Sequence, residues 1–250
     1  MKKFDYENQQ YLEKLNDLNL RYYSKYIEFF KKSLKSKKSL FLDVGCGNGE
    51  VLLELEKKGF VNGYGLDVSK LFVKAAKSKG LENIYSYSGK KFPFKNSYFD
   101  LVGSFNVLEH TQDPEGFLKE QLSKLKEDGV LIVACPNFLS FFFPNPHRRL
   151  KGFNNKFRNF RVVIKKLISK KIDFEKMAPV VRKKFEYDDD AIVVTNLIDL
   201  KNFFRANNCE IVYESGFINY DSQLFRIVNN IPFIRYGLPS CFVVVKKNEK

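Results

Sequence analysis

Residues 40–50 read LFLDVGCGNGE, an apolar run that ends in Asp43 and is followed by glycine at alternate positions, Gly45, Gly47 and Gly49. Few short sequences restrict a fold this much. Glycine at a strand-to-helix turn lets the backbone reverse sharply and lets a ligand reach main-chain N–H groups without meeting a Cβ. Three glycines in this spacing predict a strand over 39–44, a helix from 49 and a nucleotide-like cofactor lying against the turn. A tight turn with no ligand is the plainer alternative.

The chain then alternates. Its patterning predicts strands at 61–66, 83–87, 99–105 and 129–135, with helices at 49–58, 69–79 and 114–126. Gly59, Gly63, Gly80 and Gly129 stand where helices should end or strands begin. Beyond Pro136 the alternation breaks into an aromatic, turn-rich and basic stretch, with a basic amphipathic pattern at 161–172. It resumes with a helix near 196–207 and strands at 209–215 and 240–247, separated by a loop at 217–239. Before the first strand, Leu15, Leu18, Tyr22, Tyr26, Phe29 and Phe30 recur at helical spacing, so one or two amphipathic helices are expected within 6–36.

The expected fold class is therefore α/β, a doubly wound, mostly parallel seven-stranded sheet with helices on both faces. Its expected divisions are an N-terminal helical cap (1–38), a cofactor-binding core (39–137), a basic aromatic insertion or lid (138–189) and a C-terminal completion of the sheet (190–250). No internal repeat is visible.

Charge locates the unusual part of the chain. The net charge is +14, and residues 139–185 carry nine Lys and five Arg against only Asp173 and Glu175, a local balance of +12. The four cysteines, Cys46, Cys135, Cys209 and Cys241, show no C-x-x-C spacing, so neither a zinc site nor a disulfide framework is expected. No apolar run approaches the ~20 residues of a membrane span, and the start of the chain does not read as a signal peptide. A cytoplasmic protein is expected, with peripheral contact at the inner membrane face as a further expectation from the basic insertion.

The second strand, GYGLD, ends in Asp67, placed to accept hydrogen bonds from both hydroxyls of a ribose. A dinucleotide site uses similar features, but its third glycine would stand at position 50, which is Glu50. The run LDVGCGNG, GLDVS, FPF, SYFDLV and NVLEHTQDPEGFLKEQLSKLKEDGVLIVACPN, over 39–137, resembles the class I S-adenosylmethionine-dependent methyltransferases with a type 11 or type 12-like domain.

That resemblance implies a Rossmann-like methyltransferase fold, S-adenosylmethionine as cofactor and S-adenosylhomocysteine as product. It places the methionine portion near Asp43 and the turn of Gly45, Cys46, Gly47 and Gly49, the ribose on Asp67, and the adenine beside Val68 and Ser69. Family members often carry an acid before the Leu-Pro-Phe motif for the adenine amino group. Here the segment from Ser88 to Phe94 has none, so Ser88 or a backbone group near Phe92 is expected to serve. Phe105, Asn106 and Val107 are expected to present backbone groups beside the transferable methyl.

An oxygen acceptor has to lose a proton. Glu109 and His110 follow the fourth strand, and an imidazole with an intrinsic pKa near ~6.5 suits a general base; an orienting hydrogen bond in the loop is the structural alternative. Some ubiquinone-pathway O-methyltransferases look similar here and bind a divalent metal through an acid at the position of Asn106. The neutral amide of Asn106 therefore predicts no metal.

Acceptor identity should reside in the N-terminal helices, the insertion and the 217–239 loop. In the insertion, Phe138, Phe141, Phe142, Phe143, Phe153, Phe157 and Phe160 are interleaved with Arg148, Arg149, Arg158 and Arg161. Arginine forks and aromatic rings suit phosphates, sugars or bases. The layout, including Asp190-Ala191-Ile192 before a helix, is similar to methyltransferases of bacterial surface-polysaccharide pathways. The leading expectation is O-methylation of a sugar, glycan or phosphorylated, lipid-linked small acceptor, anionic overall, with the insertion touching an anionic membrane. RNA methylation through the insertion and a non-catalytic cofactor-binding scaffold are the alternatives.

Overall fold

In the computed structural model, which describes residues 6–18, 20–143, 153–180, 188–217 and 223–248, seven strands form one sheet in the order β3-β2-β1-β4-β5-β7-β6. The strands are β1 (Phe41–Val44), β2 (Gly63–Asp67), β3 (Ile84–Ser86), β4 (Phe99–Phe105), β5 (Leu125–Pro136), β6 (Cys209–Ser215) and β7 (Ser240–Lys247). β1 to β5 run parallel, whereas β7 is antiparallel to both β5 and β6 between which it lies. Strand order reverses between β1 and β4, and the crevice beyond their carboxyl ends is where an open α/β sheet takes its ligand.

The period of two decides which helix covers which face. Leu42, Val44, Val102, Leu131, Val133, Val243 and Val245 face α5 (Pro114–Lys124) and α7 (Leu197–Ala206). Their neighbours Phe41, Leu101, Ile132, Phe242 and Val244 face the other way, onto α2 (Ser24–Ser33), α3 (Glu50–Lys57) and α4 (Lys70–Ser78). Burial on both faces is what requires β1 to be continuously apolar until Asp43. Deleting the fully buried Phe41 ring would cost about 3–5 kcal/mol.

α2 belongs to this core. Tyr26 and Phe30 are wholly buried against the sheet, and Gly103 in β4 leaves them room: a Cβ there would stand 2.4 Å from Tyr26 Oη and 2.5 Å from the Phe30 ring. α1 (Gln9–Asn16) precedes it, its N-terminus capped by the Asn8 side chain accepting from Gln10 and Tyr11 N–H groups.

Three boundaries differ from expectation. β5 starts at Leu125 rather than 129, because its register with β4 shifts between Phe99 and Leu101 and Asp128 takes a positive φ of 59°. The amphipathic helix of the insertion, α6 (Phe153–Ser169), begins eight residues before 161. The expected loop at 217–239 contains two short helices, α8 (Gln223–Asn230) and α9 (Pro232–Arg235), the latter with proline at its first position. α6 packs through Val163 with Phe138, Leu139, Ala191, Val194 and Ile198, and its Lys166 is fixed internally by the Asp199 carboxylate at 2.8 Å.

Candidate active site at the glycine turn

The turn after β1 is held from below. Gly45 and Cys46 N–H groups both donate to the Leu66 carbonyl, at 2.7 and 3.0 Å. Gly45 has φ of 74°, and a Cβ on it would stand 2.2 Å from Val107 Cγ2, so the β1 turn and the segment after β4 close directly on each other only because the residue is glycine. Cys46 turns its thiol into the core, where burial pushes its pKa up; only its backbone belongs to the turn surface.

Two carboxyls lie under this turn. Asp43 accepts a hydrogen bond from Tyr26 Oη at 2.9 Å. Asp67 accepts from Gly47 N and from Ser69 N, both at 2.9 Å, while Ser69 Oγ caps α4 by accepting from Phe72 N at 3.2 Å. Burial pushes Asp43 up to about 7, against the lowering effect of Tyr26, and the Asp67 charge adds to the rise. Burial likewise pushes Asp67 up to about 6, against its backbone hydrogen bonds. Among the described residues, neither carboxyl has a lysine or arginine partner.

The N-terminal segment passes over the same place. Leu15 Cδ1 lies 3.3 Å from where a Gly47 Cβ would be, and Asn48 Nδ2 donates to Asn16 Oδ1 at 2.7 Å. The Glu7 carboxylate accepts from Lys70 and Leu71 N–H groups at 2.6 and 2.9 Å, a negative charge at the positive end of α4. Tyr11 stacks at 5.4 Å from Phe72.

Of the residues expected around the adenine, Val68 is 40% exposed and Ser88 is exposed. The Phe92 N–H donates to Glu120 Oε1 at 3.0 Å, and its ring packs on Tyr87 and Phe117. Phe105 is similarly enclosed, its ring within 5.2–5.3 Å of Tyr22, Tyr23 and Tyr26. Asn106 takes φ of 54°, a conformation asparagine tolerates, and its Nδ2 donates to Tyr22 Oη at 2.6 Å.

Glu109 and His110 lie in a single 3₁₀ turn, Leu108–His110. The Glu109 carbonyl accepts from Ile192 and Val193 N–H groups at 2.8 and 3.0 Å, which brings the 188–193 segment onto this turn. His110 Nδ1 stands 3.2 Å from Asp190 Oδ2, and its Nε2 stands 3.7 Å from Glu109 Oε1. Burial alone would lower His110; the Asp190, Glu109 and Asp188 carboxylates outweigh it and leave the imidazole above its ordinary value. Glu109 is wholly buried, neither of its carboxyl oxygens accepts a hydrogen bond among the described residues, and burial pushes it far above the carboxylate range. Burial pushes Asp188, at φ of 63°, up to about 6. Tyr6 lies edge-on to His110 at 6.3 Å, and Tyr11 feels the charges of both Asp67 and Asp190, so it stands between the turn and this cluster.

Sequence reasoning missed Glu7, Tyr6, Tyr11, Asp188 and the partnership of Asp190 with His110. The run Asp188-Asp189-Asp190 ahead of the apolar Ala191-Ile192-Val193-Val194 was the available signal, since acids so close to a buried run are placed by more than solvation. The expectation of no metal rested on Asn106, yet a carboxylate arrives from elsewhere: one ligand atom from each of Glu109, His110 and Asp188 lies within 4.8 Å of the other two. Arg148 and Arg149 lie outside the described residues, as does the Phe153 side chain.

A doubly wound sheet, a glycine turn after its first strand and an acid at the end of its second match the Rossmann-like methyltransferase fold. Residues 42–133 match the family model described as a methyltransferase domain. Over these residues the chain is similar to the class I S-adenosylmethionine-dependent methyltransferases, and that similarity supports S-adenosylmethionine as its cofactor. A protein of Methanocaldococcus jannaschii is 29% identical over 227 residues, 88% of this chain and 82% of the relative. The ubiquinone biosynthesis O-methyltransferase of Pelagibacter ubique is 29% identical over 136 residues, 50% of this chain and 55% of that enzyme. The chain thus spans about half of that relative's length. A S-adenosylmethionine-dependent methyltransferase from Aquifex aeolicus shares the fold, with a TM-score of 0.56, 17% identity and coverage of 98% of this chain and 99% of that one. No described helix is long and apolar enough to cross a membrane.

Proposed function

We propose that the protein methylates a hydroxyl of a sugar or glycan carried on a phosphorylated, lipid-linked acceptor, with His110 as the general base. One observation carries the reading: a buried imidazole, 3.2 Å from Asp190 on one nitrogen, sits beside the methyl-donor turn with its other nitrogen 3.7 Å from Glu109. Asp190 orients the ring and stabilises the imidazolium that forms when Nε2 takes the acceptor's proton.

The residues of the turn fit the cofactor. Asp43 and Asp67 are buried carboxyls without a lysine or arginine partner among the described residues; an α-ammonium and a sulfonium supply positive charge and ribose hydroxyls supply hydrogen-bond donors. In this reading Asp67 receives the ribose, Asp43 and the backbone of Gly45 to Gly49 hold the methionine end, and Val68 and Ser88 flank the adenine. When bound, S-adenosylmethionine supplies a methyl group on a positively charged sulfur, so the leaving group needs no acid. The protein's share is alignment, exclusion of water by Tyr6, Tyr11 and Tyr22, and removal of one proton.

The acidic surroundings of His110 refine the acceptor. Asp188 and Asp190 repel a phosphate and attract hydroxyl donors, while tyrosine rings suit the faces of a sugar. The reacting end of the acceptor is therefore the uncharged sugar, and any phosphate lies outside this pocket. Incubating the protein with isotope-labelled cofactor and separate pools of lipid-linked glycans, nucleotide sugars and RNA, with His110→Ala in parallel, tests this by mass spectrometry. An O-methylated sugar made by the wild type and reduced ~10²-fold in the variant is expected. Label in RNA, or on nitrogen, would overturn the acceptor assignment.

A further inference from the structure

α6 has two apolar faces. One packs inward through Val163, with Asn159 and Lys166 buried on either side of it. The other points to solvent: Phe157 is 60% exposed and Ile168 79%, with Phe160 and Ile164 exposed between them. These positions fall within one stripe of a helix, about 16 Å long at 1.5 Å per residue. Phe160 meets Phe233 of α9 at 5.9 Å and Phe141 at 5.5 Å, so exposed Phe233 and Phe142 extend the stripe sideways.

Charge identifies what this face meets. Residues 153–171 contain seven Lys or Arg and no acid. Arg158 is paired with Glu175 at 2.9 Å and Lys166 with Asp199, but Arg161 and Lys165 are exposed beside the stripe, and Lys170 and Lys171 are exposed just past the end of the helix. Arg161 lies 6.0 Å from the Phe157 ring centre. A helix with large apolar side chains on one line and unneutralised cations along its flank is built to lie in the plane of a lipid interface, chains inserted and cations among the headgroups. Nucleic acid would reward rings for stacking but gives Ile164 and Ile168 nothing. A folded protein partner would not call for cations of one sign only.

We infer that the outer face of α6, with Phe142 and Phe233, docks on an anionic lipid surface. It differs from the expectation drawn from the sequence, in which Phe138 and Arg158 took part: Phe138 is fully buried and Arg158 is ion-paired. The inference rests on the lipid-linked acceptor reading for its purpose, and its test is independent of catalysis. The full chain is sedimented with vesicles of phosphatidylcholine alone and with about one-third phosphatidylglycerol, across a salt series. Binding only to the anionic vesicles, weakened by salt, is expected. Ile168→Asp should weaken it about tenfold or more, as should the pair Arg161→Glu and Lys165→Glu, with melting temperature and calorimetric cofactor binding unchanged. Failure to bind either vesicle overturns the inference. So does binding that ignores these variants, or a dimer that Ile168→Asp dissolves, which would give the face to a second copy. Loss of methyl transfer in His110→Ala with vesicle binding intact keeps the two proposals separate.

Discussion

Asp43 ought to be a liability until the cofactor arrives, and replacing it with asparagine should reveal the cost. Its ordinary pKa of 3.8 rises to about 7 because burial disfavours the charge more than the Tyr26 hydroxyl favours it. A difference of roughly three pH units, at about 1.36 kcal/mol each, disfavours the ionised form by on the order of 4 kcal/mol. The unfolded chain releases this proton near pH 4 and the folded chain near 7, so between those values the folded state binds more protons and stability falls as pH rises. Above about pH 7 the full penalty is present. Asp43→Asn keeps an acceptor for Tyr26 Oη and carries no charge. Urea unfolding at intervals from pH 5 to 8, without cofactor, should show the variant more stable than the wild type at pH 7.5 by about 2–4 kcal/mol, with a shallower decline toward that pH. The decline that persists belongs to the other buried acids, Asp67 and Asp188, each pushed up to about 6, and Glu109. Calorimetric affinity for S-adenosylmethionine should move the other way, falling tenfold or more. A variant that is less stable at pH 7.5, or that keeps the wild-type pH dependence, would refute the argument that Asp43 is held as an uncompensated buried acid.

Asp190→Asn should lower kcat with little change in KM and move the acidic limb of the pH–rate profile downward, because a carboxylate that holds His110 up has been removed; an unmoved limb would return His110 to a purely structural role. Gly47→Val and Asp67→Ala should each abolish calorimetric binding of the cofactor, the first by placing a side chain toward Leu15 at a φ of 54°, the second by removing the ribose acceptor. Exhaustive chelation followed by assay should leave the rate unchanged. Loss of activity restored by a divalent cation would reassign Glu109, His110 and Asp188 from proton transfer to metal binding.

The parts of this molecule that could be read from its sequence are those where one residue type answers one local demand. Glycine at 45, 47 and 49 answers a turn that only glycine can make, and Asp67 ends a strand whose alternation is plain. The start of β5 was not legible because Lys126 extends the helical pattern of 114–126 and Glu127 and Asp128 read as a turn, and the bulge opposite Phe99 that accommodates them is a property of the pairing. α6 begins early among asparagines and aromatics, where propensity is weak and packing on Phe138 and Val194 decides. The partnership of His110 with Asp190 spans eighty positions and depends on Ile192 and Val193 bonding the Glu109 carbonyl, so no local pattern could announce it.

The seat that Gly103 makes for α2 orders events during synthesis. Tyr26, which bonds Asp43, and Tyr22, which bonds Asn106, leave the ribosome well before the β4 and β5 surfaces that receive them. Until those strands are translated, α2 carries Tyr26 and Phe30 with no surface to bury them, an exposed apolar face of the kind that recruits chaperones. The methyl-donor site is therefore completed late, by the return of α2 onto strands made after it, and a fragment beginning at residue 39 would possess the glycine turn without the hydroxyl that holds its acid.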